Sequence, residues 1–298
     1  MIRLAVRVAS EQAELVLAEL LELAPAGVEE RQGEDGTIEY AVYGAPGELP
    51  DLPDVQAAAG GALVAISTTE IPDDWHERWR QFHRPVLIDA PPSSDATRTP
   101  LPALHVRPPW EAPREPGHGL VREIVIDPGQ AFGTGGHAST RLCLELLLAL
   151  AASEPPVGAL LDVGTGSGVL AIAAVALGYG PVLGLDHEQE SVEAARANAA
   201  VNGVELELRR FDLRRQVLPW IGAADAREGP PVVLANLLRP LLLELAASMP
   251  ATPAHLLAGG LLTHEVDEVA TAFAQRLGLR ERERRERGEW AAVWLSAG

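Results

Sequence analysis

A short glycine run, Gly164-Thr165-Gly166-Ser167-Gly168, follows the apolar stretch Ala159-Leu160-Leu161-Asp162-Val163 and leads into a helical pattern. Glycine permits a sharp strand-to-helix turn and lets backbone approach a ligand closely. The helix that follows presents unpaired amides and the positive end of its dipole. The turn alone suits any nucleotide-like ligand, or its glycines only tighten the chain. Spacing narrows the choice. A dinucleotide fingerprint places its third glycine at the sixth position, and a phosphate loop carries a lysine. Here the sixth position is Val169, and the chain has no lysine at all. Asp162, just before the turn, suits a ligand with a cationic amino-acid end rather than a pyrophosphate.

Three further strand ends carry polar residues. Leu185-Asp186 closes the next strand about twenty residues on, where a carboxylate accepts bonds from both hydroxyls of a ribose; the alternative is a helix N-cap. Phe211-Asp212 closes the third, where Asp212 could bond the exocyclic amine of adenine with Phe211 packing near the base, or be a plain strand-end aspartate. Val232-Val233-Leu234-Ala235-Asn236 places Asn236 at the carboxyl edge, where ligands bind in such sheets. Its carbonyl can accept from an amine and aim the amine's lone pair, or the side chain can cap the next helix. Together the glycine turn, Val169, Asp186 and the missing lysine narrow the ligand to S-adenosylmethionine.

The segment Asp127-Pro128-Gly129-Gln130-Ala131-Phe132-Gly133-Thr134-Gly135-Gly136-His137-Ala138-Ser139-Thr140 precedes a helix that Ser139 or Thr140 would cap or open. Such a loop, with Phe132 in it, can cover a ligand and exclude water. His137 reads as a general base, a substrate contact or a polar helix-start residue. The other histidines form no metal spacing: His264-Glu265-Val266-Asp267-Glu268 lacks the second histidine of a zinc helix. No metal is expected.

The elements that must position these residues fall into two textures. Residues 2–8 alternate as a half-buried strand, and Ser10 caps a helical pattern with Ala13, Leu17, Leu20 and Leu21. Strands near 27–31, 37–43 and 62–69 with a helix near 53–60 complete a small α+β unit. A short polar helix over 72–83 carries Trp75, Trp79 and Phe82, and residues 89–118 are proline-rich, with a short strand at 104–107. From Val121 onward strands at 121–126, 159–163, 181–186, 206–211, 232–236 and near 255–263 alternate with helices at 138–152, 169–177, 188–202 and 238–249. That alternation predicts an α/β, doubly wound parallel sheet. Residues 289–295 alternate again as a closing strand.

Composition sets outer bounds. The chain has 298 residues, a formal net charge of −18 and a single cysteine, Cys143. It lacks the basic stripe of a nucleic-acid binder, so no direct nucleic-acid contact is expected. It would attract a basic partner. No internal disulfide can form, no apolar run of membrane-spanning length occurs, and the first residues do not read as a signal peptide. A cytoplasmic monomer is the expectation.

The segments Asp127–Gly135, Leu161–Ile172 and Ala235-Asn236-Leu237 together resemble the PrmA family, methyltransferases of the eleventh protein of the large ribosomal subunit. The resemblance implies a substrate-recognition domain at 1–70, a helical and proline-rich linker at 71–119, and a seven-stranded Rossmann-like methyltransferase domain at 120–298. It implies cofactor contacts at Thr140, Gly164, Asp186 and Asn236, to which the residue reading adds Gly166, Phe132 and Asp212. It also implies methylation of amino groups, on lysine side chains and the N-terminus, up to three times each. The chain departs from the family in Gly136, where a histidine is common, in the proline-rich stretch near 90–103, and after Leu262, where the family carries a small-residue turn. All three fall on the substrate side.

Methyl transfer to an amine is an in-line displacement, so orientation and desolvation dominate. The amine must first lose its proton, to solvent or to a nearby group; His137 is the candidate acceptor by default, and Asn236 aligns the neutral amine under the Phe132–Gly136 loop. The rival readings are a methyltransferase of another protein or small amine, a non-catalytic S-adenosylmethionine-binding module, and a nicotinamide oxidoreductase, the last weakened by Val169.

Overall fold

The computed structural model describes residues 2–10, 13, 16–17, 20, 28–32, 36–44, 49–50, 52–70, 83–92, 100–114, 119–128, 133, 135–156, 158–221 and 229–298. The chain divides into two compact units, residues 1–82 and 83–298.

The first unit contains an antiparallel sheet of β1 (Ile2–Ala9), β2 (Glu29–Gln32), β3 (Thr37–Gly44) and β4 (Leu63–Glu70), in the order β2-β3-β1-β4. Alternation along β1 sends Leu4, Val6 and Val8 inward. There they meet Ala13, Val16 and Leu20, which are helical, and Val55 and Ala59 of helix α1 (Leu52–Ala59). Tyr40 is buried in this core, and its hydroxyl donates to the Ala13 carbonyl at 3.0 Å. The helix expected over 72–83, with Trp75, Trp79 and Phe82, lies outside the described residues apart from its last residue, His83.

The second unit starts with β5 (Val86–Ile88), β6 (Ala103–Arg107) and β7 (Val121–Val125), a three-stranded sheet in which β5–β6 is antiparallel and β6–β7 parallel. The described residues from 83 on of the stretch expected as a linker fall in the second unit, and the short strand expected at 104–107 is β6. Ile88, Leu104 and Val106 are buried in the same core as Ile124 and Ile126. The three-residue β5, in contrast, shows too few periods to read from sequence.

The main sheet has seven strands: β8 (Leu160–Val163), β9 (Val182–Asp186), β10 (Glu207–Arg210), β11 (Val232–Asn236), β12 (His255–Leu262), β13 (Arg280–Arg287) and β14 (Trp290–Ser296). Their order is β10-β9-β8-β11-β12-β14-β13, with the first five parallel and β14 antiparallel to both neighbours. The doubly wound seven-stranded sheet follows as expected. Both faces are covered, which is why its central strands read as unbroken apolar runs. Leu160, Val232, Leu234 and Leu257 pack with α2 (Ala138–Ser153) and α3 (Val169–Leu177). Leu161, Val163, Val233, Ala235 and Leu256 pack with α5 (Arg239–Ser248) and α6 (Val266–Leu277). Helix α4 (Gln189–Val201) contributes Ala199 to the first of these cores.

Among the described residues no helix is long and apolar enough to cross a membrane. No group of three or more His, Cys, Asp or Glu among them is placed to hold a metal ion.

Candidate functional site

Strand order reverses between β8 and β11, whose carboxyl ends deliver Gly164 and Asn236. Crevices at such a switch point are where open α/β sheets bind ligands. A cleft of about 400 Å³ opens there. Gly164, Gly166, Asp186, Thr140, His137 and Asn236 all line it, so the tertiary fold brings these expected site residues together. A neighbouring cavity of about 330 Å³ shares Gly164 and Asp186 and adds Phe211 and Asp212. Phe132 lies outside the described residues.

The turn is built from three glycines with positive φ: +76° at Gly164, +53° at Gly166 and +83° at Gly168. Each does separate work. A Cβ on Gly164 would stand 2.3 Å from Leu237 Cδ2, so glycine lets the Asn236-Leu237 segment close on the turn. The amide of Gly166 donates to Asp186 Oδ2 at 2.8 Å. Gly168 ends at the start of α3, where a Cβ would stand 3.0 Å from Ala195 Cβ on α4.

Asp186 also accepts from the Glu188 amide at 3.1 Å through Oδ1. It is nearly buried, 8% exposed, yet lines both cavities. Asp212 is more occupied: Oδ1 accepts from the Arg214 amide at 2.9 Å, and Oδ2 lies 3.3 Å from Arg215 Nε. Its carboxylate thus fastens the turn after β10, while Phe211, 7% exposed, donates its amide to the Asp186 carbonyl at 2.6 Å.

Asn236 donates through Nδ2 to Thr140 Oγ1 at 3.2 Å, tying β11 to the first turn of α2. Its Oδ1 is buried and has no hydrogen-bond partner among the described residues. A buried acceptor left unsatisfied costs free energy, so a ligand donor there is favoured. The next helix has Leu238 at its N-cap and takes no side-chain cap from Asn236, so the capping alternative does not hold.

His137, not Ser139 or Thr140, is the N-cap of α2: its Nδ1 accepts from the Ser139 amide at 3.3 Å and lies 2.8 Å from Ser139 Oγ. Desolvation lowers its pKa below the ordinary histidine range. The neutral ring that accepts through Nδ1 carries its proton on Nε2. Its edge packs on Trp290, with ring centroids 4.8 Å apart.

Asp162 lies behind the turn rather than in the cleft lining. It is fully buried, and Oδ2 accepts from Thr165 Oγ1 at 2.7 Å while Oδ1 makes no hydrogen bond among the described residues. Burial pushes it up to about 7; nearby Asp186 adds to the rise, and the Thr165 hydroxyl opposes it.

Several cleft residues were not singled out from sequence. Trp290 and Leu238 line it from strand and loop positions that read as core or connector. Gly260 does so from a bulge in β12, where pairing with β14 shifts register between Ala258 and Leu261. The adjacent pair Gly259-Gly260 inside an apolar strand was the available signal.

Comparison with known proteins gives a consistent assignment. The family model for ribosomal protein L11 methyltransferase (PrmA) matches residues 54–297. The ribosomal protein L11 methyltransferase of Geobacter sulfurreducens is 39% identical over 249 residues, covering 81% of this chain and 73% of that protein. That of Myxococcus xanthus is 37% identical over 224 residues, covering 74% and 68%. The crystal structure of the ribosomal protein L11 methylase from Lactobacillus delbrueckii subsp. bulgaricus superposes with a TM-score of 0.56 at 27% identity, over 71% of this chain and 98% of that one. With matches of that extent and identity, the chain belongs to the ribosomal protein L11 methyltransferase family.

Proposed function

We propose that this chain methylates ribosomal protein L11 on amino groups, at lysine side chains and the N-terminus, with S-adenosylmethionine as cofactor. The observation that carries the reading is Asn236: a carboxamide at the switch point, anchored by Thr140, with a buried and unpartnered Oδ1 beside the glycine turn. The donor set fits the cofactor. Asp186 offers carboxylate oxygens to ribose hydroxyls, the cavity with Phe211 and Asp212 suits the base, and Thr140 with the Gly164–Gly166 backbone frames the amino-acid end. When bound, S-adenosylmethionine supplies an electrophilic methyl group on a sulfonium.

The chain's own work is orientation and desolvation. Asn236 Oδ1 accepts an N–H of the incoming neutral amine and so directs its lone pair. His137 and Trp290 wall the cleft. With Nδ1 engaged at the helix cap, His137 is a wall and a cap rather than the proton acceptor, and the amine gives its proton to solvent before it enters. The first unit is assigned to substrate recognition, and a net charge of −18 favours a basic partner.

Incubation of the purified protein with L11 and methyl-labelled S-adenosylmethionine, followed by mass mapping, tests this reading. Label on lysine and N-terminal amines of L11 is expected. Label confined to another protein, or cofactor binding without turnover on L11, would overturn it.

A further inference from the structure

Two asparagines one helical turn apart on and just after α4, Asn198 and Asn202, do something that neither the cleft nor the core accounts for. Among the described residues strand β7 pairs with β6 along one edge only. Along its other edge successive backbone groups meet side chains instead of a strand. Asn202 Oδ1 accepts from the Val125 amide at 2.8 Å, and its Nδ2 donates to the Val125 carbonyl at 2.7 Å. The next amide, of Ile126, turns back to the Arg107 carbonyl at 2.9 Å. The one after, of Asp127, faces α4 again and donates to Asn198 Oδ1 at 2.9 Å. This is strand alternation, with two carboxamides standing in for a neighbouring strand.

Asn202 Nδ2 also bonds back to the Asn198 carbonyl at 2.8 Å, within its own helix, whereas Asn198 has an attachment beyond strand and helix. Its Nδ2 donates at 2.9 Å to the carbonyl of Ser167, in the glycine turn. Ser167 in turn donates its hydroxyl to the Gly133 carbonyl, further along the segment that begins at Asp127. Asn198 and Ser167 are 3% and 0% exposed, so these bonds form away from water. The amide orientation of Asn198 is set by its partners, since an N–H can only donate and a carbonyl can only accept. The glycine turn and the chain at Asp127 and at Gly133 are thereby joined beside the cleft.

We propose that Asn198 is a positioning residue for cofactor binding: it fixes the glycine turn against the Asp127–His137 segment through the Ser167 carbonyl and the Asp127 amide. It touches neither cofactor nor substrate. The proposal rests on the reading of the cleft as an S-adenosylmethionine site, and its test separates the two. Asn202, which bonds to the strand but not to the turn, is the internal control.

The test uses Asn198→Ala, Asn198→Asp, Asn202→Ala, Ser167→Ala and the Asn198→Ala/Ser167→Ala double variant of the full chain. Calorimetry measures S-adenosylmethionine binding, and hydrogen exchange of the Asp127 amide is followed without cofactor. Loss of a buried hydrogen bond corresponds to about a tenfold change in an equilibrium constant. Asn198→Ala is therefore expected to raise the Kd about tenfold and to accelerate Asp127 exchange. Asn198→Asp keeps the acceptor but sets a carboxylate oxygen against the Ser167 carbonyl, so the Kd rises while Asp127 protection remains. Asn202→Ala lowers the unfolding midpoint with a Kd within about twofold of the parent, a change too small to reflect a lost buried bond. Because Asn198 and the Ser167 hydroxyl tie the glycine turn to the same segment at two points, the double variant is expected to depart from the product of the two single losses. A folded Asn198→Ala with unchanged Kd, equal Kd losses in Asn198→Ala and Asn202→Ala, or multiplicative losses in the double variant would overturn the proposal. If Asn198→Ala fails to fold, the Kd and exchange of Asn198→Asp decide. A parent protein that does not bind S-adenosylmethionine overturns the cofactor reading, while unchanged Asp127 exchange in Asn198→Ala overturns the clamp alone.

Discussion

At the scale of single residues, the protonation states around the cleft are set by what each group already holds. His137 gives Nδ1 to the first turn of α2, and desolvation disfavours its cation, so it has no free lone pair for a substrate proton. Asparagine is a strong N-cap and keeps an acceptor at that place. His137→Asn is therefore expected to retain kcat within about threefold, whereas loss of a general base costs about 10²–10⁴-fold. Steady-state kinetics on L11 decides, and a hundredfold fall would restore His137 as the base. Asp162 is the second case. Burial raises its pKa to about 7 from the ordinary aspartate value of 3.8, so between those values the folded chain holds a proton that the unfolded chain has lost. Its contribution to stability is then present at low pH and lost as pH rises through about 7. Asp162→Asn cannot ionise. Urea unfolding from pH 5 to pH 8 should show its stability rising relative to the parent as pH increases, and a gap independent of pH would contradict the raised pKa.

At the scale of elements, the Gly259-Gly260 bulge of β12 is what seats Asn236. Gly260 has φ +77°, and a Cβ there would come within 2.6 Å of the Leu237 carbonyl oxygen and 3.1 Å of Asn236 Oδ1. Gly288 has a comparable φ of +61° but open space around it. Gly260→Ala and Gly288→Ala therefore carry similar backbone strain, and only the first displaces the Asn236-Leu237 segment. We expect Gly260→Ala to lower kcat at least about tenfold, as misplacement of an orienting group does, and Gly288→Ala to lower only the unfolding midpoint. Equal effects on kcat would remove the bulge from the site. The strand β13 shows the opposite relation of sequence to element. Arg280–Arg287 reads Arg-Glu-Arg-Glu-Arg-Arg-Glu-Arg, without apolar alternation, and no element was expected over 266–287. It is an edge strand held by backbone pairing with β14 and by ion pairs such as Arg284–Asp267 and Arg285–Glu283. Charged side chains suit an edge, where they discourage pairing with another chain, but they erase the hydrophobic signature. The preceding α6 buries Val266, Val269 and Phe273 along one face.

At the scale of the whole molecule, two compact units each carry a core of their own, one around Val6, Tyr40 and Val55, the other in the two layers flanking the main sheet. Removal of residues 1–82 is expected to leave S-adenosylmethionine affinity within about threefold while raising KM for L11 more than about tenfold, the pattern of lost substrate binding. Calorimetry and L11 kinetics on the 83–298 fragment check it; unchanged KM would take substrate recognition away from the first unit. The sequence by itself determined the parallel sheet, the glycine turn, and the strand-end positions of Asp186 and Asn236. Those follow from apolar runs and from residues whose chemistry is local. Only the tertiary structure decided that His137 is a cap, that Gly260 makes room for Leu237, that the proline-rich stretch adds strands to the second unit, and that Asn198 joins two walls of the cleft. Each of these depends on a partner distant in sequence, except the cap, where the ring's two nitrogens are told apart only by geometry. The glycine turn is thus legible as a binding turn from its own residues, whereas what holds it in place is written on α4 and becomes visible only when the chain is folded.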